Sequence, residues 1–176
     1  AETVQRRRPV QQNGVFAGIA PPRVRRAASS DASARCRSVM AGDTKQPRPY
    51  VLLVDDEPHI THILARKLSR LGLEVATARN GGEAFDLATE RPPALILSDL
   101  QMPKVDGLEM AVRLAQHAST AGVPIIMISG RGFLLDDTRV RQTRVVEVLE
   151  KPFSVRTVID LVQRVLDWTP PAEAVA

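Results

Sequence analysis

From Tyr50 onward, short apolar runs alternate with longer stretches in which apolar residues recur every three or four positions, the pattern of buried strands joined by covering helices. Runs at residues 50–54, 74–78, 94–98, 124–128 and 145–149 predict five strands. Residues 58–71 carry Ile60, Ile63, Leu64, Leu68 and Leu71 on one helical face and stop at Gly72, which suits a helix end. Residues 82–89 and 108–117 read the same way. A last helix over 155–166 sets Val155, Val158, Ile159, Val162, Val165 and Leu166 on one side, behind Ser154 as N-cap. Pro92 and Pro93 bar a helix across the entry to the third strand. One segment resists the scheme. Between Gly132 and Arg144 there is no clean apolar stripe, and Thr138 and Val140 are β-branched, so the fourth helix is expected to be short, frayed or mobile. The alternation predicts an α/β sandwich: a five-stranded parallel sheet, doubly wound, with helices on both faces and its crevice at the carboxyl ends of the central strands.

Three acids fall at two of those ends. Asp55 and Asp56 directly follow the first strand, and Asp99 follows the third. If the two strands are parallel neighbours, three carboxylates converge in one shallow pocket. Like charges so close repel, and a hard divalent cation, which takes oxygen ligands, relieves the repulsion. Mg²⁺ held by carboxylates is the usual equipment for phosphoryl groups, so the pattern points to phosphate chemistry.

Charge separates the chain into parts. Residues 1–48 hold ten Lys/Arg against three acids, Glu2, Asp31 and Asp43, a net +7, whereas the remainder is −3. The basic balance therefore belongs to the leader, and the folded part lacks the footprint of a nucleic-acid binder. The leader is rich in Arg, Ala, Ser and Pro, has Phe16 as its one aromatic, and is expected to be disordered. Met40 followed by Ala41-Gly42-Asp43 resembles a natural start, so the leader is read as upstream of it; an organelle transit peptide is the alternative. Residues 169–176 are expected to form a flexible tail. Cys36 is the single cysteine, which excludes an intramolecular disulfide or a cysteine-based metal site and fits a cytoplasmic setting. No apolar run reaches the roughly 18 residues of a membrane span, and the stretch at 15–20 is too short for a signal-peptide core.

Five short motifs, in order and each at the end of a predicted element, carry a resemblance. They are Val54-Asp55-Asp56-Glu57-Pro58, Ser98-Asp99-Leu100-Gln101-Met102-Pro103, Asp106-Gly107-Leu108-Glu109, Ser129-Gly130 and Lys151-Pro152-Phe153. Residues 49–168 resemble a receiver domain of the two-component response regulators, of the stand-alone type. The resemblance implies the flavodoxin-like strand order 2-1-3-4-5. It implies that Asp99 accepts a phosphoryl group from a histidine kinase or histidine phosphotransfer protein, a carboxylate acting as nucleophile. Asp56 and Asp99 are expected to bind Mg²⁺ directly with the backbone carbonyl of Gln101. Asp55 joins them mainly through metal-bound water and by holding Lys151. Lys151 is expected to neutralise a phosphoryl oxygen, Ser129 to hydrogen-bond another, and the Lys151–Pro152 bond to be cis, as is common in the family. Such a domain is a phosphoacceptor with only autophosphorylation and autodephosphorylation chemistry, not an enzyme in its own right, and its output passes to another protein.

Other residues receive plainer readings. Glu57 and Pro58 are expected to cap the first helix. Gly107 is expected to open the third helix beside the pocket, and Gln101 and Gly130 to flank the approach of hydrolytic water. The family pattern has Tyr or Phe three positions before Lys151, and Val148 stands there instead. Output is then expected through a change of order across residues 131–149 rather than through rotation of a ring. Two further readings compete with the phosphorelay: a scaffold of the same fold that binds partners without phosphorylation, and a binder of nucleic acid or anionic surfaces acting through the leader.

Overall fold

The computed structural model describes residues 48–130 and 137–171. The leader up to residue 47, the first part of the expected fourth-helix segment (131–136) and the end of the tail (172–176) lie outside the described residues. The elements follow in the order β1 (Tyr50–Val54), α1 (Pro58–Arg70), β2 (Glu74–Ala78), α2 (Gly81–Glu90), β3 (Leu95–Asp99), α3 (Gly107–Gln116), β4 (Ile125–Ser129), α4 (Asp137–Val140), β5 (Val145–Glu150) and α5 (Val155–Leu166). All neighbouring strands are parallel and the sheet order is β2-β1-β3-β4-β5. This is the expected doubly wound α/β sandwich.

The alternation of side chains along a strand divides the core into two layers. Leu52, Val54, Ile96 and Met127 face α2 and α3, where Ala84, Ala88, Met110 and Leu114 close the layer. Val51, Leu53, Leu97 and Ile128 face the other way, onto Leu64 and Leu68 of α1 and Val158 and Val162 of α5. Because helices cover both faces, β1, β3 and β4 are apolar on both sides until polar residues close β3 and β4 at their carboxyl ends, as buried parallel strands do.

Helix starts follow local chemistry. The Asn80 side chain accepts from the amides of Gly82 and Glu83 at 3.0 and 3.1 Å, Asp106 from Glu109 at 2.7 Å, and Ser154 from Thr157 at 3.0 Å. Pro58 occupies the first turn of α1, as expected, but the Glu57 side chain makes no capping hydrogen bond. At the other end of α1, Gly72 adopts φ +90°, a left-handed conformation open to glycine.

The differences from the sequence reading are small except at one strand. β3 begins and ends one residue later than expected, because its ladder continues until Asp99 pairs with Ile128. Asp99 therefore belongs to the sheet rather than to the loop beyond it. β4 shifts in the same way, starting after Pro124. The fourth helix is indeed short, four residues.

A carboxylate pocket at the ends of the central strands

Parallel pairing of β1 with β3 sets Val54 beside Ser98, so that Asp55 and Asp56 on one strand end meet Asp99 on the other. One oxygen from each of the three carboxylates lies within 4.8 Å of the other two. Asp55 and Asp99 are buried and Asp56 is exposed, so the pocket is a shallow well with one wet wall.

The backbone of Asp99 is clamped. Its carbonyl accepts from the Ser98 hydroxyl at 2.8 Å. Gly107 lies so near that a Cβ at that position would meet the same carbonyl oxygen at 2.3 Å and the Met127 sulfur at 2.9 Å. Only glycine permits this approach, and the approach is held by the Gly107 amide donating to the Leu100 carbonyl at 3.0 Å. The loop between β3 and α3 is thereby folded down against the residue it follows. The sequence marked Gly107 as architectural; the contact with the Asp99 carbonyl, and the part of Ser98, required the fold.

The Asp99 carboxylate is held from two sides. Oδ1 accepts from the Gln101 amide at 3.1 Å, and Oδ2 accepts from Lys151 Nζ at 2.5 Å. The Lys151 amide donates to the Ser129 carbonyl at 2.8 Å, which ties the end of β5 to the end of β4, and the Lys151–Pro152 peptide is cis. Burial is the strongest influence on Lys151 and by itself favours the neutral amine. The hydrogen bond to Asp99 and the attraction of Asp99, Asp55 and Glu57 outweigh it and raise the pKa of the ammonium.

Asp55 is placed differently. Oδ1 accepts from the Glu57 amide at 2.8 Å, while Oδ2 is buried with no hydrogen-bond partner. Desolvation pushes its pKa up, the Glu57 amide and Lys151 pull it down, and Asp99 and Glu57 push it up again, with a net rise. A buried carboxylate oxygen with no donor, facing two other carboxylates, is chemistry a cation would complete. The donor set is all oxygen and anionic, which suits a hard divalent metal.

The remaining predicted residues are at the same end of the sheet. Ser129 is buried at the end of β4, its hydroxyl donating to the Gly130 carbonyl at 3.2 Å. Gln101 is exposed beside Gly130, where a Cβ would meet the Gln101 Oε1 at 3.1 Å. The sequence reading has Asp55 holding Lys151; the Lys151 hydrogen bond goes to Asp99 instead, and Asp55 acts on Lys151 through charge only. Glu57, read from sequence as a cap, instead presents its carboxylate 3.7 Å from Lys151 and 3.7 Å from His59. Val148 is a half-buried member of the layer under α2 and α3.

Comparison with known proteins agrees with this geometry. Residues 51–163 match the response regulator receiver domain family. The chain is 37% identical over 119 residues to the transcriptional regulatory protein SrrA of Staphylococcus aureus, a match covering 68% of this chain and 48% of SrrA. It thus spans about half the length of the curated relatives it matches. Among solved structures, the chemotaxis response regulator CheY4 of Vibrio cholerae superposes with a TM-score of 0.62 at 29% identity, over 67% of this chain and 98% of that one. The receiver domain of the Francisella response regulator 1452 gives 0.60 at 25%, over 68% and 98%. The chain belongs to the response regulator receiver family. Its acidic pocket is that of a two-component signalling module, suited to a metal ion and consistent with phosphoacceptor signalling. Among the described residues, no helix is long and apolar enough to cross a membrane.

Proposed function

We propose that this domain is a phosphorelay receiver in which Asp99 accepts a phosphoryl group from a protein phosphohistidine. The observation that carries the reading is the Asp99 carboxylate, buried at a strand end, with Lys151 Nζ 2.5 Å from Oδ2 and two further carboxylates beside it. Of the three acids, Asp99 alone combines a clamped backbone with a cation on its side chain. An oxygen of Asp99 attacks phosphorus, the phosphorus–nitrogen bond to the donor imidazole breaks, and the electron pair leaves with the imidazole.

Asp55, Asp56 and Asp99, with the Gln101 carbonyl, form the ligand set for Mg²⁺. When bound, this ion supplies the positive charge that lets three carboxylates and a phosphoryl group share one pocket. The residues of the chain do the rest. Gln101 holds Asp99 through its amide at Oδ1, and Lys151 is free to pass from Oδ2 to a phosphoryl oxygen. The Ser129 hydroxyl, which among the described residues donates to its neighbour's carbonyl, can turn toward a second phosphoryl oxygen. Such a turn at the end of β4 would reach β5 and the segment 131–149, and would alter what the domain binds.

Intact-mass analysis after incubation with acetyl phosphate tests the reading. A single phosphoryl adduct is expected with Mg²⁺, and none with EDTA or in Asp99→Ala. Lys151→Ala is expected to retain labelling but to lose the conformational response, read by amide exchange across residues 137–149. A folded wild-type chain without adduct would favour the phosphorylation-independent scaffold.

A further inference from the structure

The corner between β2 and α2, residues 78–82, supplies none of the three carboxylates, yet it holds both arms of the pocket that do. On one side the Ala78 carbonyl accepts from the Asp55 amide at 3.1 Å, at the head of the β1 arm. On the other the Gly81 amide donates to the Val105 carbonyl at 3.1 Å, in the loop that runs from Asp99 through Gln101 to α3. The first N–H of a helix has no partner within the helix, and here the loop satisfies it. The same contact is a steric stop. A Cβ at position 81 would meet the Val105 carbonyl oxygen and Cγ1 at 2.8 Å and the Met110 Cβ at 2.9 Å. One of these atoms is backbone and one is the root of a side chain, so neither can swing aside.

Both partners in this contact are stiff. The Asn80 side chain accepts from the Gly82 and Glu83 amides, and the Glu83 carboxylate accepts from the Arg79 amide at 2.9 Å, which fixes the corner. In the loop, Lys104 lies in the left-handed conformation at φ +70°, which a residue with a side chain keeps only where its neighbours hold it. Beside it the Val105 amide donates to the Pro103 carbonyl at 3.0 Å. We propose that Gly81 is a positioning residue for the metal: the lack of a Cβ there sets how closely the loop carrying Gln101 approaches the arm carrying Asp55 and Asp56, and so tunes the pocket to Mg²⁺ over the larger Ca²⁺. The inference rests on the proposed Mg²⁺ site and adds what selects the ion. Mg²⁺ demands a near-ideal octahedron with short bonds, whereas Ca²⁺ accepts longer bonds and irregular sets of oxygens. A small outward displacement of the loop therefore weakens Mg²⁺ more than Ca²⁺.

The test titrates Mg²⁺ and Ca²⁺ separately into the full chain and follows the amide NMR signals of residues 55, 56, 99 and 101, in the wild type, in Gly81→Ala and in Val105→Gly. This reads binding with no phosphoryl transfer. In Gly81→Ala, Mg²⁺ affinity is expected to fall at least about fivefold while Ca²⁺ affinity changes less than about twofold. Val105→Gly leaves position 81 open but frees the loop, and its preference for Mg²⁺ is expected to fall at least about twofold; it decides the matter if Gly81→Ala does not fold. Ala88→Gly, buried nearer the other end of the same helix, is the control for lost stability and should keep the wild-type preference. The inference is overturned if a folded Gly81→Ala keeps that preference, or if Ala88→Gly shifts it as much. A folded wild type that binds no Mg²⁺ would strike the metal site itself, and the inference with it.

Discussion

The two halves of the sheet are built to different standards. Every residue of β3 and β4 is buried, as are the last four of β1, and these strands carry or flank all three carboxylates. On the far edge, β5 has one fully buried residue, Val145, joins β4 through a register shift between Ile125 and Ile126, and is preceded by a four-residue helix. The chemistry thus sits in the stiff half and Lys151, its cation, is delivered from the soft one. A phosphoryl group that draws on Lys151 and Ser129 acts where the fold has least to lose by moving. An edge strand with few buried contacts opens at lower free energy than a central one, which is what a signalling surface needs.

Substitutions can break or sharpen this contrast. The largest effect is expected at Gly107, where Ala would drive a Cβ to 2.3 Å from the Asp99 carbonyl. The loss of stability should be about 3 kcal/mol, read by urea denaturation. A loss below about 1 kcal/mol would mean that the loop yields and the stiff half is softer than described. Next, Leu97→Ala in the buried centre should cost about 2.5 kcal/mol and Val148→Ala on the half-buried edge about 1 kcal/mol. Equal costs would erase the distinction. Amide exchange offers a finer measure: β1, β3 and β4 should exchange only on global unfolding, and β5 earlier.

The smallest effect is electrostatic and appears only without metal. Asp55 binds its proton more tightly in the fold than in the unfolded chain, because burial disfavours its charge. Its contribution to stability is therefore complete below the ordinary carboxylate pKa of 3.8 and is lost as pH rises from there through the raised folded value. Asp55→Asn should flatten that decline and raise the stability of the metal-free protein at neutral pH. Mg²⁺ should stabilise the wild type there and the variant far less, as thermal melts with and without the ion would record. A wild type whose stability climbs across the same window would contradict the assignment. Lys151 behaves in the opposite range: its raised pKa means that its contribution persists through neutrality and fades only in strongly alkaline solution.

Much of this was legible in the chain itself. Apolar runs of five, helical stripes and a cap such as Ser154 are local, since strand and helix periods and N-cap chemistry act within a few residues. They determined the element order and the parallel sheet, whose strands present their carboxyl ends together; the convergence of Asp55, Asp56 and Asp99 also needed β1 and β3 to be neighbours. Other features needed tertiary contact. That Asp99 belongs to β3 depends on Ile128 of a strand some thirty residues away. That Glu57 faces Lys151 rather than capping α1 depends on a side chain delivered by β5. The requirement for glycine at position 107 comes from the carbonyl it touches, and the unpaired Asp55 oxygen from the neighbours that exclude water without offering a donor. Sequence patterns encode which face of an element is buried; what each buried polar atom meets is settled only when distant elements close around it.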